Sequence, residues 1–165
     1  MNLSPIVFII LSAVVLGGAV GVVVHRNLFR AALFLVLSFV GVAGLYILLE
    51  AELLAMVQLL VYVGAIAILI IFAVMLSRQL MSPKYQARNE QWLWGLVVAV
   101  ALFAVLAYIL LQVSWPTAES AVPPDAIARL GLSLLSPQGF VLPFEVASVL
   151  LLVALVGAVI IARQK

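Results

Sequence analysis

Charge is what this sequence has least of. Only 8% of its 165 residues are Asp, Glu, Lys or Arg, where a soluble domain carries about a quarter. Hydrophobic residues make up 68%. No soluble fold hides that much apolar surface, so the chain reads as an integral membrane protein. Cysteine is absent, which excludes disulfides, thiolate metal sites and cysteine nucleophiles. A single histidine, His25, excludes a histidine-cluster metal centre. The basic residues are too few and too scattered to grip a nucleic acid.

What is present is a series of long apolar runs. Ser4 to Val24 is the first, about the ~20 residues that cross a bilayer core. No basic segment precedes it and no small-x-small cleavage site closes it, so it reads as an uncleaved span rather than a signal peptide. Gly17 and Gly21 form a GxxxG pair within it. The second span covers 31–49, with Ser38, Gly41 and Gly44 as small packing positions. The third covers 53–76. After a polar loop from Arg78 to Gln91 with Pro83, the fourth covers 92–112, with Trp92, Trp94 and Trp115 near its ends.

The longest connection then follows. Pro123-Pro124-Asp125 looks like a helix start with Asp125 as a candidate cap. Ile127, Leu130 and Leu134 fall at helical spacing, so a short helix over about 125–135 is expected on the membrane surface or on a partner. The fifth span covers 143–162. It opens with Pro143 and Glu145, which suit the first turn and positive end of a helix. Ala154, Ala158 and Ala162 give it a small-residue stripe. The expected fold is all-α: one membrane domain over 1–165, with five transmembrane helices and a surface helix between the fourth and fifth.

Five spans place the termini on opposite sides. One side then holds Arg26, Arg30, Arg78, Lys84, Arg88, Arg163 and Lys165 with Glu90 alone. The other holds Arg129 with Glu50, Glu52, Glu119, Asp125 and Glu145. Positive residues favour the cytoplasmic side. The N-terminus is therefore expected outside, in the periplasm, and the C-terminus in the cytoplasm.

The third span is the most informative stretch. Between Leu53 and Leu76 its only strongly polar side chains are Gln58 and Tyr62, one helical turn apart on the same face. Val63-Gly64-Ala65 follows, with little bulk and a helix-weakening glycine. The 24 residues make ~36 Å of α-helix against a core of ~30 Å. Tilt absorbs such an excess, and so does a π-bulge, for which Gly64 is the natural place. Gln58 and Tyr62 have two readings. They hydrogen-bond to neighbouring helices, or they order water along a polar path shared with other subunits. Glu145 likewise reads as an interfacial acid or as part of such a path, as does Glu52.

No ionisable group lies in mid-membrane, five spans do not divide into two inverted halves, and no internal repeat is visible. A stand-alone transporter is thereby disfavoured. There is no nucleotide-binding glycine loop, no nucleophile with its base and no metal site, hence no catalytic residue in this chain.

The segment QLLVYVGAIAILIIFAVML (58–76) resembles the third transmembrane helix of the subunit 6, or J, family of respiratory complex I. LPFEVASVLLLVALVGAVIIAR (142–163) resembles the last helix of bacterial members, and RNLFRAALFLVLSF (26–39) more loosely the start of the second. The resemblance implies a membrane-arm subunit of proton-translocating NADH–quinone oxidoreductase in the bacterial inner membrane. It implies a gating segment at Gln58, Tyr62, Val63, Gly64, Ala65 and Ile66. In the family, loss of a π-bulge there is thought to rotate the cytoplasmic half of the helix, making or breaking a water path between the quinone region and a hydrophilic axis. It also implies that NADH, FMN, iron–sulfur clusters and quinone sit on partner subunits, that this chain binds no cofactor, and that it is not a stand-alone homo-oligomer. Some members carry an acid where this sequence has Gln58, so hydrogen bonding to water is the assignment carried over. The same resemblance fits the equivalent subunit of a thylakoid ferredoxin-accepting complex, a membrane-bound hydrogenase or a multisubunit cation/proton antiporter. A purely structural membrane subunit is the reading from a different class.

Overall fold

The computed structural model describes residues 3–77, 91–114 and 123–163, and every regular element among them is a helix. The chain divides into two compact units, Met1–Ala118 and Glu119–Lys165. The first contains α1 (Leu3–Val24), α2 (Leu28–Leu48), α3 (Glu52–Leu76) and α4 (Trp92–Gln112). The second contains α5 (Ala126–Leu135) and α6 (Val141–Arg163). All but α5 are long and apolar enough to cross a membrane, which gives the five expected spans. A helix satisfies its backbone polar groups internally, the condition for crossing lipid. Trp115, the loop 78–90 with Arg78, Pro83, Lys84, Arg88 and Glu90, and Glu119 and Lys165 lie outside the described residues.

Two helices start two or more residues earlier than expected. Asn27 accepts from the backbone N–H groups of Phe29 (3.0 Å) and Arg30 (3.3 Å), so α2 begins at Leu28 and takes Arg30 into its first turn. That cap satisfies donors that would otherwise be orphaned. In α6 the helix begins at Val141, and Pro143 is its third residue, still within the turn where a missing N–H costs nothing. Asp125 does occupy the residue before α5, but its carboxylate caps no backbone N–H. It accepts from Arg129 Nε at 2.7 Å instead, one turn along the helix.

The helix pair α1–α2 is held by small residues. A Cβ built on Gly18 would lie 2.9 Å from Ser38 N, and one on Gly21 2.5 Å from Phe34 Cδ1. From the other side, Cβ atoms on Gly41 and Gly44 would meet Val15 at 2.8 Å and Leu11 at 2.7 Å. Ser38 is buried and donates to the Val15 carbonyl at 3.1 Å. The expected GxxxG pair is only half used, since Gly17 has no atom within 4 Å of its Cβ position. The buried face runs through Gly18 and Gly21, i and i+3, because α2 crosses one residue further round. At the end of α1, His25 Nδ1 lies 2.8 Å from the Gly21 carbonyl, and its ring stacks on Phe34 at 4.5 Å.

The α2–α3 turn is a Schellman closure. Ala51 N–H donates to the Tyr46 carbonyl (2.9 Å) and Glu50 N–H to that of Ile47 (3.0 Å). The residue that takes the left-handed conformation is Glu50, at φ 58°, where glycine is usual. Among the described residues no large side chain is fully buried, and the buried apolar core consists of Ala31, Ala32, Ala43, Ala55 and Ala67. Large aliphatic and aromatic side chains point outward, as they do where lipid or other membrane helices supply the surroundings.

Candidate functional site

The third helix changes register twice. Glu52–Val57 is α-helical, Gln58–Ala67 is π-helical with i→i+5 bonding, and Ile68–Leu76 is α-helical again. At the first junction Gln58 N–H is shared between the Leu54 and Ala55 carbonyls. At the second, Ile68 N–H donates to the Ala65 carbonyl, three residues back. A wide segment is thus closed by a tight turn. Most π segments are single-turn bulges with poorer hydrogen-bond geometry than α-helix, so ten residues in this register is a large departure. Every residue singled out around the soft spot falls inside it: Gln58, Tyr62, Val63, Gly64, Ala65 and Ile66.

Alanines seat this helix. Ala55 (4% exposed), just before the π segment, and Ala67 (1%), its last residue, are buried, and the segment packs on α2. Gln58 is buried, and its Nε2 donates to the Phe39 carbonyl of α2 at 3.4 Å, a long bond. Tyr62, 42% exposed, sets its ring edge-on to that of Phe39, with centroids 5.6 Å apart and planes at 77°. Among the described residues its hydroxyl makes no hydrogen bond. Gln58 and Tyr62 of α3 therefore meet one residue of α2, one through its backbone and the other through its ring.

Gly64 answers to its own helix. A Cβ there would lie 3.3 Å from the Leu59 carbonyl, five residues back, and meets nothing else within 4 Å. Val63 is half-buried, whereas Ala65 and Ile66 are exposed. Glu52, the first residue of α3, is exposed, as is Glu145, the fifth residue of α6 in the second unit. Glu52 makes no contact with the Gln58–Tyr62–Phe39 group. No cluster of three His, Asp or Glu that could hold a metal occurs among the described residues.

Phe39 is the member that sequence reasoning missed. It is one of eight phenylalanines in an apolar chain, and only the crossing of α2 over α3 distinguishes it. The arrangement offers no carboxylate, thiol or imidazole, so what it brings is hydrogen bonding and ring contact beside a π-helical segment.

The model of the family described as NADH-ubiquinone/plastoquinone oxidoreductase chain 6 matches residues 18–161. Among relatives, an NAD(P)H-quinone oxidoreductase chain 6 from Leptolyngbya boryana is 39% identical, covering 100% of this chain and 84% of that protein. The protein of the same name from a Synechocystis strain is 38% identical over 99% of this chain and 85% of its own length. A chloroplastic NAD(P)H-quinone oxidoreductase subunit 6 from Staurastrum punctulatum is 40% identical over 98% and 91%. With most of its length matched and its third helix built as described, this chain belongs to the NADH-ubiquinone/plastoquinone oxidoreductase chain 6 family.

Proposed function

We propose that this chain is a membrane-arm subunit of a proton-translocating NAD(P)H–quinone oxidoreductase, and that α3 gates a water path between the quinone region and the hydrophilic axis of the arm. One observation carries the gate: ten residues of π-helix, Gln58–Ala67, interrupt an otherwise α-helical span. A π register bonds each N–H one residue further back than an α register does. Exchanging one for the other turns Ile68–Leu76 about the helix axis relative to Glu52–Val57. Side chains on one half then move onto or away from a path that the other half borders.

Gln58 and Tyr62 are the groups on this chain that can hold water along such a path. Glu52 and Glu145 stand as interface acids toward partner subunits. The chain supplies no complete catalytic site; NADH, FMN, iron–sulfur clusters and quinone belong to those partners. The charge pattern supports an N-terminus outside and a cytoplasmic C-terminus. The membrane is the bacterial inner membrane or, as cyanobacterial and chloroplast relatives favour, a thylakoid-type membrane. A second reading, left open by the sequence resemblance, keeps the gate unchanged and has the complex take electrons from ferredoxin. Donor preference of the isolated complex separates the two.

The gate is tested by Gly64→Leu in the assembled complex. Proton-coupled quinone reduction should fall severalfold while electron transfer from the peripheral arm to an artificial acceptor persists. Wild-type pumping in an assembled Gly64→Leu complex would leave α3 as a structural helix.

A further inference from the structure

We propose that Phe39 of α2 is a positioning residue for the gate, and that its ring holds Tyr62 in the place it occupies when α3 is π-helical. The inference rests on the reading of α3 as a gate. It is carried by one geometric fact: Gln58 and Tyr62, at the start and middle of the π segment, both meet Phe39, but by different atoms.

The two contacts respond differently to a change of register. Gln58 is the first π residue, and its own N–H is bonded back into the α-helical segment before it, to Leu54 and Ala55. With that outer segment held on α2 through buried Ala55, Gln58 keeps its place in either register, and so does its bond to the Phe39 carbonyl. Tyr62 lies four residues further on. An α-helix turns about 100° per residue, and a π-helix, with its wider turn, turns less. Four residues accumulate that difference, and Tyr62 swings round the axis relative to Phe39. The edge-on ring contact at 5.6 Å exists for one register only. The amide bond is the fixed end of the latch and the ring pair its releasable end.

Substitution separates the two ends, because Phe39 offers its backbone to Gln58 and its ring to Tyr62. Phe39→Leu removes the ring and leaves the carbonyl. An aromatic pair of this kind biases an equilibrium by ~2- to 10-fold, so the ratio of π to α register should fall by about that factor.

The experiment uses the assembled complex in sealed proteoliposomes, with Phe39→Leu, Phe39→Tyr, Tyr62→Leu and the double variant Phe39→Leu/Tyr62→Leu. Phe39→Leu should lower kcat for coupled quinone reduction by ~2- to 10-fold with KM for quinone and artificial-acceptor activity unchanged. Phe39→Tyr, which keeps the ring, should restore it, and the double variant should be no slower than Tyr62→Leu alone. Wild-type kcat in Phe39→Leu beside impaired Gly64→Leu would overturn the latch and spare the gate. Wild-type behaviour in both would remove the gate itself. Equal losses in Phe39→Leu and Phe39→Tyr, or additive losses in the double variant, would make Phe39 ordinary packing and overturn the proposal.

Discussion

Gly18 on α1 faces Ser38 on α2 so closely that a Cβ on the glycine would sit 2.9 Å from the serine's amide nitrogen. Its neighbour Gly17 has open space around the same position. Adjacent glycines in one sequence motif therefore have opposite duties. In a membrane, where lipid tails are as apolar as leucine, helices associate through close backbone approach rather than through a hydrophobic drive.

Gly18→Leu should consequently separate α1 from α2 and lower the yield of assembled complex severalfold. Gly17→Leu should leave yield near wild type unless a partner subunit covers that face. Quantitative native-gel analysis of solubilised membranes compares the two. Equal yields from both variants would contradict the Gly18–Ser38 contact.

A second prediction concerns the turn between α2 and α3. Glu50 holds φ 58° in a position that closes a Schellman motif. The left-handed conformation costs an L-residue about 1–2 kcal/mol, a cost glycine does not bear. Glu50→Gly should stabilise the turn by about 1 kcal/mol, less the entropy a glycine adds to the unfolded chain. Glu50→Val should destabilise it by more than that. Thermal melting of the purified complex, followed by loss of subunit association, reads both signs in one series.

The five spans were legible because apolar length is written directly in the sequence and needs no partner to define it. The soft spot at Gly64 was legible too, as a point of weak helix propensity. The extent of the π segment was not. Its first residue is Gln58, whose side-chain amide meets the Phe39 carbonyl at a crossing of two helices that no local pattern encodes. The interface glycine was missed for a related reason. GxxxG spacing selects Gly17 and Gly21, but the tilt of α2 brings Gly18 and Gly21 inward. Asp125 was correctly placed before α5, yet a carboxylate with an arginine one turn away has a stronger attachment than a backbone N–H.

The third prediction compares two hydroxyls. Ser38 donates to the Val15 carbonyl at 3.1 Å within the α1–α2 contact. Interhelical hydrogen bonds in membranes contribute about 0.6 kcal/mol on average, so Ser38→Ala should lower stability slightly and leave turnover unchanged. Tyr62 is half-exposed on the π segment, and its hydroxyl has no protein partner among the described residues. Tyr62→Phe keeps the ring against Phe39 and removes only a group that can hold water. It should reduce coupled turnover more than Ser38→Ala does. If both variants pump at the wild-type rate, the polar stripe serves packing alone.

The last prediction grades the crowding at Gly64. A methyl there would lie 3.3 Å from the Leu59 carbonyl and touch nothing else within 4 Å, so a shift of a few tenths of an ångström in one carbonyl accommodates it. Alanine also favours helix over glycine by about 1 kcal/mol. Gly64→Ala should therefore assemble normally and keep most of its coupled activity. Valine adds two methyls at the branch point, where χ1 freedom in a helix is already restricted, and one of them is driven toward the same carbonyl. The strain falls on the bond pattern of the π segment rather than on α2, since no α2 atom lies near the site. Gly64→Val should then assemble, retain artificial-acceptor activity and lose proton-coupled quinone reduction by a clearly larger factor than Gly64→Ala. An ordering in which alanine is as damaging as valine would point to a partner subunit packed against Gly64, and cryo-electron microscopy of the alanine complex would show that contact directly.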